Sequence, residues 1–246
     1  MKSDKKFIVL NTVESTNNYA NQLVLSKAAG HGTVVLAQFQ SKGKGQMGNS
    51  WESEYGKNLL ASFVLLPVFL PAVKQFYLSK ITCLSISEFL KQETKSVSVK
   101  WPNDIYIGNK KVAGILIENS IKNNYVDSSI IGIGLNLNQE HFISDAPNPV
   151  SLKNITGRNY DVHQVAAKID EILHHWLEKL RLGNYEEIDT TYFNQLFRSN
   201  EWALFAKQGI RFEAKITGIG EFGQLILENR NGTTSEFMFK EVEFVI

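Results

Sequence analysis

Residues 97–120 run VSVKWPNDIYIGNKKVAGILIENS: two short β-rich runs meet at a Trp-Pro-Asn-Asp corner, and a Gly-Asn-Lys-Lys turn sends the chain back along a third. That order predicts antiparallel strands over 97–101, 105–107 and 114–120, joined by short turns. The corner concentrates polar groups. Lys100, Asn103 and Asp104 fall near Lys110 and Lys111 across one hairpin, where two polar side chains can hold a hydrated Mg²⁺ or a ribose. A bend that merely carries polar residues fits the same letters.

Outward from this hairpin, further runs rich in valine, isoleucine, leucine and phenylalanine at 7–12, 33–38, 59–65 and 130–137 predict a many-stranded sheet. Three stretches predict helices. STNNYANQLVLSKA at 15–28 opens with a Ser or Thr cap and puts Tyr19, Leu23 and Val24 on one face. The segment 71–94 has Pro71 in its first turn and apolar Val73, Phe76, Tyr77, Leu84 and Phe89. At 161–183, Asp161 caps a stripe from Val162 through Val165, Ile169, Ile172, Leu173, Trp176 and Leu180, and Gly183 stops it. After Phe197 short β-rich runs alternate with turn signals at Gly220, Gly223 and NRNG, as in a small barrel of hairpins. The chain is expected to divide into 1–197 and 198–246.

Three other segments carry polar chemistry. In QSKGKGQMGNSW, at 40–51, Gly43, Gly45 and Gly48 are able to adopt positive φ and let successive N–H groups converge on an anion, with the Lys44 charge beside them. The spacing matches neither a Walker loop nor a dinucleotide fingerprint, and a plain surface loop remains open. In IIGIGLNLN, at 130–138, Gly132 and Gly134 with Asn136 and Asn138 mark either a close approach to the strand or a bulge. ESTNN, at 14–18, offers Ser15, Thr16 and Asn17 at a helix entrance, where capping competes with ligand binding.

Composition removes several function classes. The 246 residues carry 26 basic and 25 acidic side chains, so no basic stripe advertises a nucleic-acid partner, and there is no room before Phe7 for a helix-turn-helix. One cysteine, Cys83, allows neither an internal disulfide nor a paired-cysteine zinc site and reads as buried core. The N-terminal apolar stretch is four residues long, too short for a signal peptide, and the run FVLLPVFLPAV falls short of the roughly 20 residues of a membrane helix. The protein is expected to act in the cytoplasm, away from membranes. The five histidines show no ligand spacing, and no serine or cysteine sits in a hydrolase nucleophile motif. No fixed protein metal site is expected.

In this order, ESTN, QSKGKGQMGNSW, KWPNDIYIGNKKVAGIL and IGIGLNLN closely resemble the biotin–protein ligase family, also called biotin–[acetyl-CoA-carboxylase] ligase. The resemblance covers essentially the whole chain and is to the short type without a DNA-binding domain. It implies an α/β (α+β) fold: a mixed central β-sheet with helices mainly on one side, the class II synthetase-like catalytic fold, and a small SH3-like C-terminal barrel. It implies that biotin and MgATP form biotinyl-5′-AMP, and that a lysine on the biotin-carrier domain of a carboxylase then attacks the activated carbonyl. The glycine loop is expected to close over the adenylate.

By the same resemblance, biotin is expected against Ser15, Thr16, Asn17, Gln40, Gly43, Lys44, Gly45, Lys111, Gly114 and Leu116, and the nucleotide against Gly48, Trp51, Lys100, Asn103, Asp104 and Asn136. Lys111, Asp104 and Lys44 carry the catalytic expectation. Mg²⁺ is expected with ATP near Asn103 and Asp104, and homodimers occur in the family. The loop departs from the family's common G-R-G-R-x-G-R at Lys44, Gln46, Met47 and Asn49, which predicts weaker retention of the adenylate unless Lys42 substitutes. A lipoate or octanoate ligase or transferase, and a silent biotin-binding module, are the alternative readings.

Overall fold

The structure, a computed structural model, describes residues 6–143 and 148–245, and of Met47 only the main chain. The first five residues of the N-terminal stretch and the Met47 side chain, both part of the sequence reading, lie outside the described residues. The chain first builds β1 (Lys6–Val13), α1 (Thr16–Leu25), β2 (Thr33–Gln40), β3 (Leu59–Leu65), α2 (Phe76–Glu93), β4 (Val97–Lys100), β5 (Asp104–Ile107), β6 (Lys110–Lys122) and β7 (Tyr125–Leu135). Then follow α3 (Leu152–Thr156), α4 (Val162–Arg181) and α5 (Tyr185–Asn194), and last β8 (Trp202–Lys207), β9 (Ile210–Ile219), β10 (Leu225–Asn229), β11 (Thr234–Phe237) and β12 (Glu243–Phe244).

β1 to β7 form one mixed sheet in the order β1-β2-β3-β7-β6-β5-β4, with only β1 and β2 parallel. Its middle strands read as nearly unbroken apolar runs because both faces are covered. On one face Val34, Leu36, Phe63, Ile131 and Ile133 join the main core with α2 and α4. On the other, Val35, Val64 and Ile130 meet Ala20 of α1. This is the expected mixed sheet with helices mainly on one side. Because α1 is short, it leaves part of its face uncovered, and that opening positions the site.

Helix boundaries follow local chemistry. The Ser15 side chain caps α1, and the Asp161 carboxylate accepts from the Gln164 N–H to cap α4, as expected. Pro71 behaves differently: a 3₁₀ turn at Ala72–Lys74 intervenes, and α2 starts only at Phe76, leaving Val73 exposed. α3 and α5 were not anticipated. α5 buries only Ile188 and Tyr192, too few apolar positions to mark a period. Cys83 is buried in α2, and burial pushes its thiol far above its ordinary range.

The second sheet is antiparallel, in the order β11-β10-β9-β8-β12. Its turns use Gly223 and Gly232 at positive φ, the positions flagged by the sequence. The Trp101 indole N–H donates to Gly223 O at 2.8 Å, and the apolar core continues from the first sheet to Phe205, Ile216 and Leu225. Among the described residues no helix is long and apolar enough to cross a membrane.

Candidate active site

Because β1 and β2 run parallel, with Val13 opposite Gln40, the segments that follow them leave from the same edge of the sheet. Ser15 to Asn17 and Gln40 therefore meet. Gln40 Oε1 accepts from the Thr16 N–H at 2.7 Å and lies 3.0 Å from Thr16 Oγ1. They form one end of a cavity of about 640 Å³ on the sheet face that α1 leaves open. At the other end stand Lys100, Asn103, Asp104 and Lys111, and Lys240 and Phe244 reach in from the second sheet.

The floor is stripped of side chains in register. Leu60 of β3, Gly134 of β7 and Gly114 of β6 lie in one cross-strand row, and Ser62, Gly132 and Leu116 in the next. A Cβ on Gly134 would run into the Trp51 indole, and one on Gly114 would sit 2.8 Å from it. The close approach anticipated at these glycines is thus made by a side chain of the same protein. A Cβ on Gly132 would lie 2.5 Å from Asn17 Oδ1.

A β-bulge aims the principal cation. Ile105 pairs with Ala113 but Tyr106 pairs with Lys111, so Val112 is the extra residue on β6. Val112 and Ala113 both enter the apolar core, and Lys111 turns to the cavity face with Gly114 and Leu116. There its ammonium lies 2.7 Å from Asp104 Oδ1, both side chains about one quarter exposed, and 5.6 Å from the centre of a Trp51 ring. Asn103 Nδ2 donates to Ile115 O at 2.6 Å, which leaves its amide oxygen as the free acceptor. Lys100 packs 5.4 Å from the Phe244 ring, and its pKa is lowered, first by desolvation and then by the Lys111 and Arg198 charges, against the pull of Asp104.

The glycine loop is a small folded-back ribbon: Lys44 bridges Ser50, the Trp51 N–H donates to Gly43 O at 3.0 Å, and Gly45 N–H to Asn49 O at 2.6 Å. Of its three glycines only Gly48 has positive φ, which corrects the expectation for Gly43 and Gly45. Gly43 is needed for space, since a Cβ there would lie 2.7 Å from Trp51 O. Lys44 Nζ donates to Asn18 Oδ1 at 2.8 Å. Lys42 pairs with Glu14 at 2.8 Å and does not line the cavity, so it does not stand in for a cation at Gln46.

All the predicted site residues line this cavity except Gly43, Gly48 and Asn136. Asn136 is buried, its N–H donating to Val112 O and its Nδ2 to Val150 O, so it braces the strand behind Lys111. The sequence reading missed Ser62 and Lys240. A lone hydroxyl inside the otherwise apolar LLASFVL was the available signal for Ser62; nothing local marked Lys240.

The chain matches the biotin/lipoate A/B protein ligase family over residues 9–136. It is similar to the bifunctional ligase/repressor BirA of Bacillus spizizenii, 30% identical over 92% of this chain and 70% of that protein. It is also similar to the biotin–[acetyl-CoA-carboxylase] ligase of Paracoccus denitrificans, 28% identical over 91% of this chain and 95% of the relative. The solved biotin protein ligase from Aquifex aeolicus in complex with biotin and ATP aligns with a TM-score of 0.80 at 28% identity, covering 98% of this chain and 100% of that one. With a cavity walled by the same motifs and a match over more than half its length, this chain belongs to the biotin/lipoate A/B protein ligase family.

Proposed function

We infer that the protein is a biotin–protein ligase, which uses ATP to attach biotin to a lysine on the carrier domain of a biotin-dependent carboxylase. The Lys111–Asp104 pair at one end of the cavity, opposite the Thr16–Gln40 hydrogen-bonding end, carries this reading. Full-length likeness to a biotin- and ATP-bound ligase, together with relatives named as biotin ligases, favours it over the lipoate alternative.

In the first step a biotin carboxylate oxygen bonds to the α-phosphorus of ATP, and the bond to pyrophosphate breaks. Lys111 offsets the repulsion between these two anions and meets the charge that builds on the phosphoryl oxygens. In the second step the acceptor amine attacks the acyl carbon, AMP leaves, and an amide forms. That amine has an ordinary pKa of about 10.4 and must lose a proton, for which Asp104 is the nearby carboxylate. Lys44 and the folded loop cover the anhydride and keep water from it. Lys100 and Lys240 add charge beside the phosphates.

Among the described residues no three His, Cys, Asp or Glu side chains gather to cage a metal. Asp104 and the Asn103 amide oxygen are the groups that would hold a Mg²⁺ brought with ATP, which would supply positive charge against the phosphates. We treat residues from 198 onward as a second unit, because the texture of the sequence changes there and β8 starts at Trp202. The single buried cysteine suits a reducing, cytoplasmic setting.

The test is a mass measurement on an isolated biotin-carrier domain after incubation with protein, biotin and MgATP, beside a lipoate arm and a Lys111→Ala control. One biotin gained on one lysine, and lost with Lys111→Ala, is expected. A bare carrier with no biotinyl-AMP formed would overturn the assignment.

A further inference from the structure

Ser62 sits in β3 fully buried, its hydroxyl 2.6 Å from Asn17 Oδ1 and 2.8 Å from Thr16 Oγ1. A hydroxyl has one proton and cannot donate to both. The surrounding groups decide which receives it. Asn17 Nδ2 faces Glu118 Oε2 at 2.7 Å and Leu116 O at 3.2 Å, a carboxylate and a carbonyl, both acceptors only. The Asn17 amide therefore has a single admissible orientation, and its oxygen requires a donor. Ser62 is that donor. Thr16 Oγ1 then has two acceptors on its inner side, Ser62 Oγ and Gln40 Oε1, and its own proton points inward to one of them. Its remaining lone pairs face the cavity. Gln40 Oε1 is in turn held by the Thr16 N–H, which leaves Gln40 Nε2 as the group presented to a ligand.

We propose that Ser62 is a positioning residue that sets the hydrogen-bond polarity of this end of the cavity, so that Thr16 Oγ1 accepts and Gln40 Nε2 donates toward the ligand, while Asn17 directs both of its N–H groups into the network. The proposal rests on the biotin reading and deepens it: an acceptor beside a donor is the complement of a cyclic urea, which offers an N–H next to a carbonyl. A dithiolane head has neither group. The backbone is cut to fit this arrangement, since Ser62, Gly132 and Leu116 lie in one row and a Cβ on Gly132 would crowd the Asn17 amide at 2.5 Å. Both Asn17 N–H groups and the Ser62 proton are spent within the protein, so neither residue has a donor left for biotin.

The experiment is steady-state pyrophosphate release by the full chain, varying biotin and ATP separately, with thermal melting of each variant. Ser62→Ala is expected to raise the KM for biotin about tenfold, the effect of losing one oriented hydrogen bond in a buried site, while the KM for ATP and kcat stay within twofold. Glu118→Ala, at an exposed position that does not threaten folding, is expected to raise the biotin KM about threefold through the released Asn17 amide. An unchanged biotin KM in a folded Ser62→Ala, or equal losses in both KM values and kcat, would overturn the proposal. Should Ser62→Ala fail to fold, an unchanged biotin KM in Glu118→Ala overturns it alone. A wild-type protein that releases no pyrophosphate with biotin would instead remove the function on which the proposal stands.

Discussion

The two ends of the cavity differ in how completely their polar groups are used. Where Thr16, Asn17, Gln40 and Ser62 meet, amide and hydroxyl groups are locked to one another within 2.6 to 3.2 Å. Under the loop, Gln46 Oε1 and Trp51 Nε1 are buried with no partner among the described residues. A buried polar atom left unpaired costs about 1–3 kcal/mol, so the loop end holds a conformation that a ligand or a rearrangement can improve. On this contrast the network end is expected to read shape and polarity as it stands, and the loop end to close over its ligand.

Removing the shared charge should produce the largest effect. Lys111→Ala is expected to lower the rate of adenylate formation by about 10²–10³-fold, measured as pyrophosphate release, because it removes the cation that the proposed reaction uses beside the phosphate and strands Asp104. Gly134→Ala tests the loop end alone. Its methyl group displaces the Trp51 indole, and we expect about tenfold weaker activity with a changed tryptophan emission, while discrimination against lipoate is retained. A loss of discrimination would erase the contrast between the two ends.

Lys100→Gln sharpens the contrast through stability. Lys100 has a lowered pKa in the fold, so its charge opposes folding at neutral pH; that penalty is complete below the folded pKa and disappears as pH rises toward the unfolded value. The variant is expected to melt a few degrees higher at pH 7, with the gain shrinking as the pH rises toward the ordinary lysine range, and to bind ATP several-fold more weakly. Heat-unfolding curves across pH and a KM series for ATP check both halves. The smallest effect belongs to Gln46→Arg, expected to slow escape of preformed biotinyl-AMP about threefold, because arginine restores a cation and a planar fork at an unpartnered position. Equal escape rates would show that the loop holds the adenylate by closure rather than charge.

Much of this architecture could be read from the chain, for reasons that differ by element. β3 and the second half of β7 are nearly unbroken runs of apolar residues and glycine, and α4 carries a full stripe with a cap and a stop, so the hydrophobic pattern locates them. α5 could not be found that way, because two buried residues make no period. The cavity residues were legible as motifs, yet their partners were not. Nothing in ESTNN or LLASFVL says that Thr16, Asn17 and Ser62 touch; that follows from α1 crossing β3, a long-range event. Gly43 and Asn136 show the converse, motif residues that sit behind the cavity wall and shape it through the backbone.

The extra residue at Val112 has a consequence for how this site tolerates change. A strand is read in twos, and Val112 shifts the frame by one for everything before it on β6. Were Val112 paired regularly opposite Tyr106, Lys111 would turn to the apolar layer beneath; the bulge sends Val112 and Ala113 inward together and so keeps Lys111 on the cavity face. Deleting Val112 would close the bulge and leave Lys111 opposite Tyr106 and Ala113 opposite Ile105, so the lysine would keep its face and lose one of the two apolar side chains anchored beneath it. In this stretch the face that each side chain takes is set by how the strands pair as much as by residue type.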